Sequence, residues 1–163
     1  MEWVIFALLV WFFFSRSKKK QAKKDFERAK KSLSKEQQRY EKFMNSLPEL
    51  VGDGSFSQQV RGEQAYKETI DMYGKYLQDY HPGEDEFYVM VELEPKNKYD
   101  EYAVRVDAGQ ATIGYIPREE AAGFGAELGI HGGRAKCTAK LYWSPEDGLS
   151  SVRLDIVRPL RTI

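Results

Sequence analysis

The segment at residues 134–143, RAKCTAKLYW, alternates from end to end: Ala135, Cys137, Ala139, Leu141 and Trp143 fall on one side of an extended chain, and charged or polar residues fall mostly on the other. Period two separates the two kinds of side chain only in a β-strand; on a helix the same residues scatter around the axis. A half-buried strand needs partners, and the sequence supplies them. EFYVMVELEP (86–95) alternates Phe87, Val89, Val91 and Leu93 with Tyr88, Met90, Glu92 and Glu94. YAVRVD (102–107) turns Val104 and Val106 inward, ATIGYIP (111–117) centres on Ile113, and SVRLDIV (151–157) carries Val152, Leu154 and Ile156. SFSQQVRG (55–62) reads as a short strand ending at Gly62. Two stretches follow helical spacing instead. Tyr66, Thr69, Ile70, Tyr73 and Leu77 predict a helix over Glu63–Leu77, and Ala121, Ala122, Phe124 and Leu128 predict another within REEAAGFGAEL. About six strands with two short helices are best accommodated as a mainly β, α+β fold, a small and mostly antiparallel barrel or strongly curved sheet.

The 163 residues suffice for one ordinary domain with appendages. Their 25 basic and 25 acidic residues hide two opposed regions. Arg16–Lys42 holds 12 Lys or Arg against 4 Asp or Glu, a net +8, whereas Glu49 to the last residue holds 13 against 20, a net −7. Each region meets its partners through its own local field. Cys137 is the only cysteine, so neither an intrachain disulfide nor a thiolate metal cluster can form, and a reducing compartment is the natural setting. It lies on the apolar face of its strand, which predicts a buried, inert thiol. His81 and His131 are fifty residues apart and lack the spacing of metal ligands, so neither a metal nor a cofactor is expected.

At the other end, WVIFALLVWFFF (3–14) is free of charge but extends only about 18 Å as a helix. A full membrane span usually takes about 20 residues. No basic segment precedes the run, and SRSKKK follows it where a cleavage site would need small residues, so a cleaved secretory signal is a poor fit. Arg16 and Lys18 to Lys20 can snorkel to lengthen the span, with aromatics at both ends suiting the interface. Residues 1–17 are therefore expected to be a retained single-pass membrane anchor. The basic cluster after it places the N-terminus outside and the rest of the chain in the cytoplasm, with Lys18–Lys24 against anionic lipid.

From Lys18 to Leu47 there is neither Gly nor Pro, which predicts one long charged helix, a basic spacer over 18–48 ended by Pro48. Ala22, Phe26, Ala29, Leu33, Tyr40, Phe43 and Leu47 fall on a heptad grid that Glu36 interrupts. A coiled coil between copies and a helix packing its Tyr40, Phe43 and Leu47 end on the following domain are the two readings. The second is favoured because coiled coils need several unbroken heptads.

The folded part, residues 55–160, also carries a motif: Glu94-Pro95-x-Asn97-x-Tyr99-Asp100, then Ala103-Val104-x-Val106, Gly114-Tyr115-Ile116, and Arg118-Glu119-x-Ala121 at a helix start. This succession closely resembles the HIRAN domain, found fused to Swi/Snf-type helicase-like ATPases and as a stand-alone module in bacteria. The resemblance implies an OB-like barrel that captures the 3′ end of single-stranded DNA. It implies that Tyr99 is a stacking platform and Asp100 the acceptor for the terminal 3′-hydroxyl. The chemistry is sound, since an aromatic face accepts any base and a carboxylate prefers a free hydroxyl to a phosphodiester. An Arg-Tyr pair of the DNA-binding member aligns with Gln64 and Ala65 here, leaving Tyr66 as the nearest aromatic, and a histidine there is Tyr115 here. Arg118 keeps a cation near the next basic position, and Arg61, Lys96, Lys98 and Arg105 complete a local basic set within an acidic domain.

The expectation is thus a membrane-anchored, cytoplasm-facing HIRAN-type binding module whose site comprises Tyr66, Lys98, Tyr99, Asp100, Tyr115 and Arg118. A protein-interaction adaptor recruiting a basic partner to the membrane is the alternative. No catalytic residue is expected. The phosphate-loop, nucleophile-elbow and HExxH patterns are missing, and the adjacent Glu119 and Glu120 point apart on a helix.

Overall fold

The computed structural model describes residues 2–62 and 64–163, with side chains from residue 24 onward. The chain divides into two compact units, Met1–Phe43 and Met44–Ile163. The first is the greater part of one helix, α1 (Glu2–Ser46), which includes the stretch from Lys18 where the absence of Gly and Pro predicts a helix and also runs through the residues before it. Among the described residues no helix is long and apolar enough to cross a membrane. The side chains of the expected anchor, residues 1–17, lie outside the described ones.

The second unit is a six-stranded antiparallel sheet with two helices of its own. The strands are β1 (Gln58–Gln59), β2 (Glu86–Leu93), β3 (Val104–Ala108), β4 (Ala111–Tyr115), β5 (Arg134–Ser144) and β6 (Leu149–Asp155), in the order β1-β6-β5-β2-β3-β4. Alternation decides which face is covered: along β5, Ala135, Cys137, Ala139 and Leu141 are buried, and they meet Val89 and Val91 of β2, Val104 and Val106 of β3, and Val152 and Leu154 of β6 in one core. Each buried Val or Leu among them contributes about 1.5–3 kcal/mol.

Helix α2 (Lys67–Tyr80) buries Ile70, Gly74 and Leu77, and α3 (Arg118–Ile130) buries Ala121, Phe124, Gly125 and Leu128. α2 touches β4, β5 and β6, strands drawn from both ends of the sheet order, so the sheet is rolled around it. Among the described residues the two edges meet at one place. Arg61, just beyond β1, pairs with Tyr115 of β4, its N–H donating to the Tyr115 carbonyl at 2.7 Å and its carbonyl accepting from the Tyr115 N–H at 2.8 Å. Gly114 makes this seam possible, because a Cβ there would stand 2.5 Å from the Arg61 carbonyl oxygen. The architecture is a half-barrel whose edges are joined by the Arg61–Tyr115 bridge, an α+β fold of OB-like kind.

Several boundaries differ from expectation, α2 also running past the expected Leu77 to Tyr80, and two of the differences have a clear local cause. The strand expected over 55–62 shrinks to Gln58–Gln59 and the isolated bridge at Arg61, because Phe56 adopts a positive φ of 47° and leaves the extended conformation. The helix expected from Glu63 starts at Lys67. Gly62, at φ 103°, turns its carbonyl to accept the N–H groups of Ala65 and Tyr66, so a turn occupies the expected first helical residues. Glu63 itself lies outside the described residues.

Candidate functional site

The segment joining β2 to β3 is shaped by its own side chains. Glu94 N–H donates to the Ala103 carbonyl at 2.8 Å, closing the base of the loop. Asn97 Oδ1 accepts the backbone N–H groups of Tyr99 at 2.9 Å and Asp100 at 3.3 Å, and Asp100 Oδ1 accepts that of Tyr102 at 2.9 Å. Short polar side chains that bond amides two or three residues on favour such turns over a straight strand. With the backbone satisfied in this way, the Tyr99 ring has no role in closing the turn and stands 84% exposed.

Arg118, at the start of α3, reaches back to the loop. Its Nη2 donates to the Tyr99 carbonyl at 2.7 Å, and its Nε lies 3.6 Å from Asp100 Oδ2. Asp100 therefore has one oxygen committed to the turn and a second that faces an exposed guanidinium, with acceptor capacity to spare.

Opposite the loop lies the seam. Tyr115 stands half-buried beside Tyr66, ring centroids 6.1 Å apart, and donates its hydroxyl to Glu94 Oε2 at 3.0 Å. Burial first, then the hydrogen bonds to Tyr66 and Glu94, push its phenol well above the ordinary tyrosine value, so it stays a protonated donor. Glu94 itself is held below the usual carboxylate range by hydrogen bonds from Asn97 and Tyr115 and by the Arg105 charge, which together outweigh its partial burial.

Between loop and seam is a hollow of about 370 Å³ whose lining includes Arg61, Tyr66, Tyr99, Asp100, Tyr115 and Arg118. The structure thus brings five of the six expected site residues around one space. Lys98, the sixth, lines a neighbouring hollow of about 550 Å³ on the same loop, together with Tyr99, Tyr102 and Arg118. Asn97, Gly62, Ala103 and Ile116 complete the first hollow and were not expected there. Asn97 had a signal, its place in the Glu94-Pro95-x-Asn97 motif. Ala103 and Ile116 had the same signal, standing in the Ala103-Val104-x-Val106 and Gly114-Tyr115-Ile116 parts of that motif, whereas Gly62 arrives only through the roll of the sheet.

The local basic set needs one correction. Arg105 faces away from the core as its strand predicts, but the same face of the sheet carries Glu92, Glu94 and Asp107, which bind it at 2.9, 3.3 and 2.9 Å. It is not free to meet a phosphate. Arg61, Lys96 and Lys98 have no ion-pair partner among the described residues.

A third hollow, of about 340 Å³, lies over Leu77, Leu141 and Trp143 with His81, Glu84 and Asp85 at its rim. It gathers none of the expected residues. Cys137 is fully buried, and burial followed by the Asp155 and Glu49 charges pushes its thiol far up. Among the described residues no three His, Cys, Asp or Glu side chains converge as a metal site.

A small half-barrel with an aromatic hollow at its seam defines a binding module of OB-like architecture. The chain belongs to the HIRAN domain family, whose model, described as HIRAN domain, matches residues 69–158, and which is a family of nucleic-acid-binding modules. The match includes the loop and the β4–α3 wall and begins after Arg61 and Tyr66. Neither a curated protein nor a solved structure matches the chain.

Proposed function

We propose that this module captures the 3′-hydroxyl end of single-stranded DNA in the hollow between the Tyr99 loop and the seam. Tyr99 stacks on a base, Asp100 Oδ2 accepts the terminal hydroxyl, and Arg118, with Arg61 and Lys98 near it, meets the phosphates. The observation that carries the reading is the exposed Tyr99 ring beside a carboxylate that lines the hollow and whose second oxygen, 3.6 Å from Arg118 Nε, keeps acceptor capacity. A 3′-phosphate puts negative charge where Asp100 accepts a proton donor, so it is rejected.

The domain's net −7 opposes a polyanion, which confines attraction to these few cations. With two or three phosphates neutralised, the logarithm of affinity falls with the logarithm of salt at a slope of about −1.5 to −2. The module works by capture, without turnover, and residues 1–17 anchor it to a membrane with the domain on the cytoplasmic side. Retention of the full chain in the membrane pellet after alkaline extraction, lost on removing residues 1–17, tests the anchor.

Fluorescence anisotropy with 3′-hydroxyl and 3′-phosphate single strands tests the site. The hydroxyl end binds more tightly, and Tyr99→Ala weakens it by about 1–3 kcal/mol, the contribution of one stacked base. Equal binding of both ends, or binding of neither, refutes the 3′-end reading.

A further inference from the structure

We infer that Glu94 is the positioning residue of the hollow: its carboxylate ties the loop that carries Tyr99 and Asp100 to the wall that carries Tyr115, and Arg105 fixes that carboxylate from behind. What the hollow binds rests on the 3′-end reading; what Glu94 does rests on geometry.

A single oxygen, Oε2, accepts from Asn97 Nδ2 at 2.8 Å and from the Tyr115 hydroxyl at 3.0 Å. The other end of the Asn97 amide accepts the Tyr99 and Asp100 N–H groups, so whatever sets the plane of that amide sets the two residues that face the ligand. Tyr115 in turn is half of the seam and the neighbour of Tyr66. The remaining oxygen, Oε1, receives Arg105 Nη1 at 3.3 Å, and Arg105 is held by Glu92 and Asp107. Glu94 does not line the hollow and acts through Asn97 and Tyr115.

A charged carboxylate suits this position better than any other acceptor, since both oxygens face donors. A glutamine would turn one of them into an NH₂ group aimed either at the Arg105 guanidinium or at Asn97 and Tyr115. The clasp also decides what Tyr115 offers a ligand. With its hydroxyl committed to Glu94 it presents a ring, so this wall reads stacking and leaves base identity open.

The test compares the full chain with Glu94→Ala, Glu94→Gln, Asn97→Ala and Tyr115→Phe. Anisotropy with the two oligonucleotides is read beside amide exchange at Tyr99 and Asp100 and, where the phenol remains, the titration of Tyr115. In both Glu94 variants we expect 3′-hydroxyl binding to weaken by about 10- to 100-fold, the range for hydrogen bonds to a charged group. The preference over 3′-phosphate falls, the Tyr99 and Asp100 amides exchange faster, and Tyr115 titrates at lower pH, while the amides of Val91 and Leu154 keep their protection. Asn97→Ala frees the loop amides and leaves the Tyr115 titration in place; Tyr115→Phe leaves the loop amides protected. Glu94 variants that alter only one limb or neither, or that loosen Val91 and Leu154 equally, overturn the inference. If the unmodified chain binds neither oligonucleotide, the 3′-end reading falls, and exchange and titration still decide the role of Glu94.

Discussion

Gly114→Ala strikes the Arg61–Tyr115 bridge that joins the two edges of the sheet. The added Cβ stands 2.5 Å from the Arg61 carbonyl oxygen and 2.5 Å from Val60 Cγ1, and the first of these is backbone that cannot rotate away. Relief requires β4 to part from the Arg61 segment, which removes the two hydrogen bonds of 2.7 and 2.8 Å that form the seam. At about 1 kcal/mol for each bond, and about 1 kcal/mol more for overpacking against Val60, the substitution costs about 3 kcal/mol. That is a large share of the 5–15 kcal/mol typical of a domain. Urea unfolding reads it, with Trp3 and Trp11 replaced by Phe so that Trp143 is the sole tryptophan reporter. With a slope of about 1–3 kcal/mol per molar, the midpoint falls by about 1 M or more. The proposed capture of a 3′ end is lost in proportion, because Arg61, Tyr115 and Tyr66 all depend on the closed seam. A midpoint within about 0.2 M of the unmodified chain refutes the reasoning, since an intact seam cannot admit that methyl group.

Two further outcomes follow from groups away from the hollow. Glu127 is held below the ordinary glutamate value of 4.5 by Arg158, with contacts of 2.6 and 2.9 Å, and by the Leu160 N–H. A carboxylate with a depressed folded value adds stability that is whole above 4.5 and is lost as pH falls through the folded value. Glu127→Gln should therefore flatten the decline of the thermal midpoint below that pH, and a decline as steep as the unmodified chain's would remove Glu127 from the account. Cys137 is 0% exposed with its thiol raised by burial, so a thiol-specific reagent should label it only as fast as the domain opens. Rapid labelling in native buffer would contradict the packing described.

The strands were legible because alternation is a local property: of the expected apolar set of β5, Ala135, Cys137, Ala139 and Leu141 are buried and Trp143 is partly buried against the same core. The long charged helix and α3 were legible because a run without Gly or Pro and a helical spacing of apolar residues are local signals too. The seam was not, since Arg61 and Tyr115 are far apart in the chain and neither carries a pattern that names the other. Arg105 shows the limit from another side. Its outward orientation was evident, but only the register places Glu92 directly opposite it, between Arg105 and Arg134. The start of α2 was misplaced because the apolar period from Tyr66 to Leu77 is silent about Gly62, whose positive φ makes the preceding turn. At the site, the motif gave the Tyr99 loop and the start of α3 together, while the clasp through Glu94 needed coordinates.

The order of the strands also bears on when the site comes into being. β2-β3-β4 and β5-β6 are neighbours in the chain as well as in space, so each can assemble early from short-range contacts, whereas the β1 segment must wait for partners near both ends of the roll. A nascent chain halted before that last docking already owns the tyrosine loop and the second aromatic wall, yet has no cleft between them. Whatever this cleft holds, competence to hold it is then a property of the finished fold alone, and half-made copies stay silent.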